Sequence, residues 1–321
     1  MKSAKEIIEI ANRTFKIEAD AVLQLQQQLN NDFVEVINEI LKSNGRVVVT
    51  GIGKSAIIAN KIVATLNSTG TPSLFMHAAD AIHGDLGMIQ KDDVVICISK
   101  SGNTPEIKVL VPLLKASTNK LVAIVGNNDS LLAKQADYVL DTTVDVEACP
   151  NNLAPTTSTT AQLAMGDAIA VCLLECRAFS SSDFAKYHPG GALGKRLYLK
   201  VSDLATQNEK PMVTEHENLS QVILEISSKR LGMTAVIDND DQLVGIITDG
   251  DLRRLMEKGF NENLMAKDIM GKHPKTINKD ELAINALELM KIHNITQLIV
   301  ADDTQYVGVI HLHDLIREGI I

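Results

Sequence analysis

The sequence predicts an α/β protein: a three-layer sandwich on a mostly parallel five-stranded sheet, followed by a tandem pair of small α+β units. Three observations lead there. Short β-branched runs alternate with helical patterns from residue 46 to residue 178, the order of a parallel sheet with crossover helices. The last third repeats itself: a shift of 63 residues brings Pro211 onto Pro274, Leu219 onto Leu282, Gly245 onto Gly308, Asp251 onto Asp314 and Leu252 onto Leu315. Finally, two strand-to-helix loops in the first part are crowded with glycine and hydroxyl side chains. The expected segments are 1–198, 199–260 and 261–321.

Residues 3–42 carry apolar positions at helical spacing, Ile7, Ile10 and Ala11, then Val22, Leu25, Leu29, Phe33, Val36, Ile37 and Ile40, so one or two long helices come first. Arg46–Ile52 reads as the first strand, with a helix over 55–69 behind it. Strands at Ser73–Met76, Val94–Ile98, Leu121–Val125 and Tyr138–Leu140 follow, with helices over 105–117, 130–135 and 156–178. Val94-Val95-Ile96-Cys97-Ile98 is apolar at every position, as a parallel strand covered on both faces should be. Thr104 and Pro105 place an N-cap and a first-turn proline at the start of the next helix. Each C-terminal repeat ends in strand, turn and helix, Leu243–Leu252 and Tyr306–Leu315.

Composition narrows the class of function. Lys and Arg number 31 against 40 Asp and Glu, a net charge of −9 without a long basic block, which argues against nucleic acid or an anionic membrane as the main partner. An anionic ligand must therefore be met by local groups. Cys97, Cys149, Cys172 and Cys176 form no C-x-x-C pair and are expected as reduced packing residues rather than a disulfide or zinc framework. The N-terminus runs into an amphipathic helix bearing Glu6, Glu9 and Glu18 instead of an apolar signal core, and no apolar run reaches about 18 residues. The expectation is a cytoplasmic protein.

The chemistry is concentrated in the loop Ser99-Lys100-Ser101-Gly102-Asn103-Thr104-Pro105-Glu106. Capping a helix needs one hydroxyl, and here there are three. With a glycine that lets backbone approach a ligand and a helix N-terminus with free N–H groups, they make a cradle for a dianionic phosphate. The earlier loop, Thr50-Gly51-Ile52-Gly53-Lys54-Ser55-Ala56, is not a P-loop, because position 48 is Val48 where a glycine is required. It is not a full dinucleotide fingerprint either, since the second strand, Ser73-Leu74-Phe75-Met76-His77, ends without an acidic residue for ribose. It more readily gives a tight turn at Gly53, backbone donors, Ser55 and Lys54 to a smaller anion. A lysine at a helix start opposes the macrodipole, a local conflict expected at functional positions.

Together, Gly51-Ile52-Gly53-Lys54-Ser55, His83-Gly84-Asp85, Ser99-x-Ser101-Gly102-x-Thr104-x-Glu106, Glu147-Ala148-Cys149-Pro150, Leu153–Thr160 and His188-Pro189-Gly190-Gly191-Ala192-Leu193-Gly194 resemble the D-arabinose-5-phosphate isomerases. Those enzymes are a sugar isomerase (SIS) domain followed by two CBS modules, and the resemblance covers nearly the whole chain. It implies reversible aldose–ketose isomerisation of D-ribulose 5-phosphate and D-arabinose 5-phosphate through an enediol, supplying 3-deoxy-D-manno-octulosonate (Kdo) and lipopolysaccharide synthesis. Such a reaction needs a base, an acid and stabilisation of oxyanion charge, and in principle no metal or organic cofactor. Carried over residue by residue, the resemblance makes Lys54, Glu106, Glu147 and His188 the catalytic set. Glu147 is then the base at C1 and C2, His188 the acid–base group for ring opening, Lys54 the partner of enediolate charge, and Glu106 a hydroxyl-orienting or proton-sharing group. Exchanging the two glutamates remains open. Gly53, Ser55, His83, Ser99, Ser101 and Thr104 would bind substrate. The resemblance further implies a homotetramer, a dimer of dimers.

Each residue also has a plainer reading. Glu106 suits any first helical turn. Lys54, Glu147 and His188 would serve as solvated surface groups, and His83 with Asp85 as incidental metal ligands short of a site. In the tandem CBS pair, Thr248 and Asp251 fit a ribose-holding pattern that His311 breaks in the second copy. That leaves a nucleotide or nucleotide-sugar effector beside a structural or oligomerising module, the latter favoured. Two other functions stay in view: a related isomerase of sugar-alcohol catabolism, and a non-catalytic phosphosugar sensor. Against the sensor stands the lack of an N-terminal helix-turn-helix.

Overall fold

The computed structural model describes residues 2–259 and 263–320, which pack as two units, Met1–Ser180 and Ser181–Ile321. The first unit begins with α1 (Ala4–Gln28), opened by a capping box between Ser3 and Glu6, and α2 (Asn31–Lys42), capped by Asn30. Then come β1 (Val47–Gly51), α3 (Lys54–Ser68), β2 (Ser73–His77), α4 (Ala78–Ala81), a 3-10 turn at Asp85–Met88, β3 (Val94–Ser99), α5 (Pro105–Lys115), β4 (Lys120–Val125), α6 (Leu131–Gln135), β5 (Tyr138–Asp141) and α7 (Thr157–Cys176). All five strands are parallel, in the order β2-β1-β3-β4-β5.

Both faces of the sheet are covered. Val47, Val49, Ile96, Ile98, Val122 and Ile124 meet α2, α3 and α7 on one side, through Val36, Ile37, Ile40, Ile62, Leu66, Met165, Ile169 and Leu173. The alternate residues Val48, Val95, Cys97, Leu121, Ala123 and Val125 meet Ile107, Leu110, Val111 and Leu114 of α5 on the other. Two buried faces explain why the strands read as unbroken apolar runs. The packing of α3 on α7 is close: a Cβ on Gly166 would sit 2.3 Å from Ile62 Cδ1. By length and composition α7 is apolar enough to cross a membrane, but Ala161, Met165, Ile169 and Leu173 on it are buried in this core.

The second unit contains α8 (Ser181–Tyr187), α9 (Ala192–Tyr198) and α10 (Val201–Ala205), then β6 (Met212–Thr214), α11 (Leu219–Lys229), β7 (Met233–Ile237), β8 (Leu243–Thr248), α12 (Asp249–Lys258) and α13 (Ala266–Ile269). The second repeat follows as β9 (Thr276–Asn278), α14 (Ala283–His293), β10 (Gln297–Asp302), β11 (Gln305–His311) and α15 (Leu312–Arg317). The 63-residue repeat is visible in the pairing: β6–β7 and β9–β10 are parallel, β7–β8 and β10–β11 antiparallel, and Val236 opposes Gly245 as Val300 opposes Gly308. One apolar cluster joins the repeats, Met233, Ala235 and Ile237 from the first with Ile299, Tyr306 and Val309 from the second.

The helices of 181–198 pack with the second unit, which departs from the segment expected at 1–198. The reason is polar: Lys195 pairs with Glu318 at 2.7 Å, and the Arg196 guanidinium donates to the Ile320 carbonyl at 2.8 Å. The boundary expected between 260 and 261 lies outside the described residues.

Candidate active site

In an open parallel sheet, ligands bind at the carboxyl ends of the strands where the strand order reverses, and in the order β2-β1-β3-β4-β5 that point lies between β1 and β3. The two loops singled out in the sequence are those that leave β1 and β3. Both turn on glycines with positive φ: Gly53 (+58°) caps α3, and Gly102 (+62°) packs so closely that a Cβ would lie 2.2 Å from Ser130 Oγ. Between the loops and α7 is a cavity of about 280 Å³. The β1 loop gives it Lys54 and Ser55, the β3 loop Ser99, Lys100, Ser101 and Thr104, and α7 gives Ser158, Thr159 and Gln162. Its wall holds two ammonium groups and no carboxylate. A cavity of similar size, about 300 Å³, opens at the amino end of the sheet beside Lys42, Asp92 and Asn119, away from the hydroxyl loops.

Thr104 stands at the N-cap of α5 as expected, but its side chain does not cap. Its Oγ1 is buried with no hydrogen-bond partner, a costly arrangement in a free protein. The Ser99 hydroxyl accepts from the Gly102 N–H at 3.1 Å and Ser101 from the Asn103 N–H at 3.3 Å, so each keeps its own proton to donate. The Ser55 hydroxyl donates to Gln162 Oε1 at 3.2 Å. Pro105 has no N–H, and the Lys108 N–H donates to the Thr104 carbonyl, leaving the Glu106 and Ile107 amides as the free donors of the first turn.

The four expected catalytic residues are placed very differently. Lys54 is the exposed first residue of α3, without an ion-pair partner among the described residues. Glu106 is half-buried in the first turn of α5, and its carboxylate makes no hydrogen bond or ion pair among the described residues. Glu147 has its side chain fully covered and its oxygens occupied. Oε1 accepts from Lys100 Nζ and Ser158 Oγ, both at 2.5 Å, while Oε2 accepts from the Thr156 N–H at 2.8 Å and from the Ser158 N–H and Thr156 Oγ1 at 3.2 Å. Burial alone would raise this carboxyl, but the bonds from Lys100, Ser158 and Thr156 outweigh it and hold it down at about 2. Glu147, expected as the base for the C1/C2 proton, has both oxygens engaged here, whereas those of Glu106 are free among the described residues, which favours the exchange of the two glutamates that the sequence leaves open. Its bonds tie the start of α7 to Lys100.

His188 belongs to the second unit. Its ring stacks on Phe184, centroids 3.9 Å apart, and Nδ1 is 2.9 Å from the Phe184 carbonyl. A carbonyl only accepts, so Nδ1 carries a proton in this contact. His83 is exposed after α4 and does not line the cavity. Thr248 and Asp251 are engaged with each other: the Thr248 hydroxyl donates to Asp251 Oδ2 at 2.6 Å and accepts from the Asp251 N–H at 3.3 Å, a capping box on α12. Sequence reasoning gave no role to Lys100 or Gln162. Lys100 lay in plain sight inside the hydroxyl loop, but its partner is 47 residues further on.

Comparison with known proteins gives the family. A SIS domain model matches residues 39–172, and a CBS domain model matches 201–258 and 266–320. The arabinose 5-phosphate isomerase KdsD of Pseudomonas aeruginosa is 47% identical, over 100% of this chain and 99% of its own. The enzyme of the same name from Escherichia coli K12 is 45% identical over 95% of this chain and 94% of its own. The solved structure of E. coli CFT073 c3406 in complex with arabinose 5-phosphate is 41% identical and superposes with a TM-score of 0.57, covering 59% of this chain and all of that one. Full-length identity of this order, on a SIS domain followed by two CBS domains, makes the chain a member of the arabinose 5-phosphate isomerase family.

Proposed function

We propose that the chain interconverts D-ribulose 5-phosphate and D-arabinose 5-phosphate through an enediol at the cavity between β1, β3 and α7. The observation that carries the reading is the buried, unpartnered Thr104 hydroxyl in a wall of hydroxyls with two ammonium groups. A phosphate satisfies that hydroxyl together with Ser99, Ser101 and the free amides of α5, Ser55 joins them by turning its proton from Gln162 to the anion, and Lys54 supplies positive charge. Glu106 lies outside the cavity's lining but two residues beyond Thr104, which lines it, and with its lone pairs free it is the base that carries a proton between C1 and C2. Ring opening stays with His188 on the ground of the resemblance alone, and proton transfer of this kind needs no cofactor.

The product of the aldose direction supplies Kdo and lipopolysaccharide synthesis. A cytoplasmic protein fits the unpaired cysteines. Assembly as a homotetramer is supported by exposed apolar residues on α1, α3 and α7, Phe15 at 69%, Ile57 at 71% and Val171 at 53%. For the CBS pair a structural role is the reading that the Thr248–Asp251 cap supports, with a nucleotide or nucleotide sugar as the alternative ligand. The test is an NMR time course with D-ribulose 5-phosphate in deuterated water. Arabinose 5-phosphate labelled at C2 is the expected result, and saturable phosphosugar binding without turnover would replace the isomerase with a sensor.

A further inference from the structure

Lys100 enters the reading above only as one of the cavity's two ammonium groups, yet the structure fixes it more firmly than Lys54. Its backbone is wedged at the end of β3: its carbonyl accepts from the Gly126 N–H at 3.0 Å, and a Cβ on Gly126 would lie 3.1 Å from that oxygen. Its ammonium is held by Glu147 Oε1 at 2.5 Å, while the side chain stays 43% exposed. One N–H is taken by Glu147, and two remain for whatever fills the cavity.

The pairing serves both groups. Glu147 takes hydrogen bonds from Thr156 and Ser158 and its positive partner from Lys100. In return the carboxylate holds Lys100, whose long stem is otherwise free to wander. Charge that develops in a transition state is best stabilised by donors already in place, because nothing has to reorganise as the reaction proceeds. Lys54, exposed and unpaired among the described residues, lacks that property.

We propose that Lys100 is a further catalytic residue of the isomerisation, and that Glu147 is its positioning residue. The inference rests on the isomerase reading. In the ketose-to-aldose direction Glu106 takes a proton from C1, the released pair forms the C1–C2 double bond, and the C2 carbonyl pair moves onto O2. Lys100 meets that alkoxide through its free N–H groups. The O1 proton then passes to O2, the O1 pair forms the C1 carbonyl, and the double-bond pair takes the proton back from Glu106 at C2. Lys100 and Glu106 end as they began.

The test compares wild type with Lys100→Gln, Lys100→Arg, Glu147→Gln and the Lys100→Gln/Glu147→Gln double variant in the full-length protein. The readouts are kcat, KM, inhibition by inorganic phosphate and a thermal melt. Gln at position 100 removes the charge, keeps an N–H donor and shortens the side chain by one atom. The expected result is a fall of about 10²–10³ in kcat for Lys100→Gln, of the size seen on losing one oxyanion donor, with KM and phosphate inhibition close to wild type. Arg should restore a substantial part of the loss, and the double variant should be no slower than Lys100→Gln alone, because the two residues act as one device. A near-normal kcat for Lys100→Gln, a loss that appears in KM and phosphate inhibition instead, or multiplied losses in the double variant would overturn it. Should Glu147→Gln fail to fold, the Gln and Arg variants at position 100 decide alone. A wild type that does not turn over would refute the isomerase reading itself, which keeps the two failures apart.

Discussion

Replacing Glu147 by Gln should destabilise the first unit by an amount that depends on pH in a defined direction. The carboxyl sits at about 2 where its ordinary value is 4.5. At about 1.4 kcal/mol per tenfold change in acidity, that difference is about 3 kcal/mol in favour of the ionised folded form. The sign follows from the depressed value: the stabilisation is complete above the unfolded carboxyl's pKa and is lost as pH falls through the folded one. An amide of the same shape cannot accept from Lys100, Ser158 and Thr156 at once, so the variant forgoes it at all pH. For a unit of this size about 3 kcal/mol corresponds to a melting temperature lower by about 6–12 °C. Urea or thermal unfolding of both proteins between pH 7 and pH 2.5 measures this. The gap should be widest near neutrality and close steadily below about pH 4.5. A gap that is absent at pH 7, or that widens as pH falls, would refute the account of Glu147 as an ionised clamp.

Two further substitutions separate stability from function. Thr104→Val keeps the shape and removes the buried, unpartnered hydroxyl; unfolding should show the free protein more stable by about 1 kcal/mol, while KM for the phosphosugar rises about 10-fold or more with the lost bond to a charged group. Thr248→Ala breaks the capping box on α12; calorimetry should show the second unit destabilised by about 1 kcal/mol with isomerase turnover unaltered.

The strands of the first unit were legible because burial on both faces leaves no polar alternation to misread, as in β3, where all six residues are buried. Helices of four residues have no period to detect, so α4 and the turn at 85–88 were invisible. The helix α8 was hidden by the glycine-rich stretch beyond it, although Phe184 and His188, four apart, stack on one another. At the site, residue types were legible and their engagement was not. Thr104 reads as a cap, yet its hydroxyl is withheld from the backbone. Glu147 reads as a loop carboxylate followed by a proline, and only the fold shows donors converging on it from β3 and the start of α7. Lys100 and Glu147 are 47 residues apart, and neither position signals the other.

The apolar cluster shared by Met233, Ala235, Ile237, Ile299, Tyr306 and Val309 gives the C-terminal repeats a different status from the one their sequence suggests. Sixty-three residues are a unit of duplication, but they are not a unit of folding, because each copy completes the other's interior. A single copy would carry an open apolar face that only a second copy of similar shape can close. The pair is therefore kept or lost together, and a core change in one half is felt at once in the other.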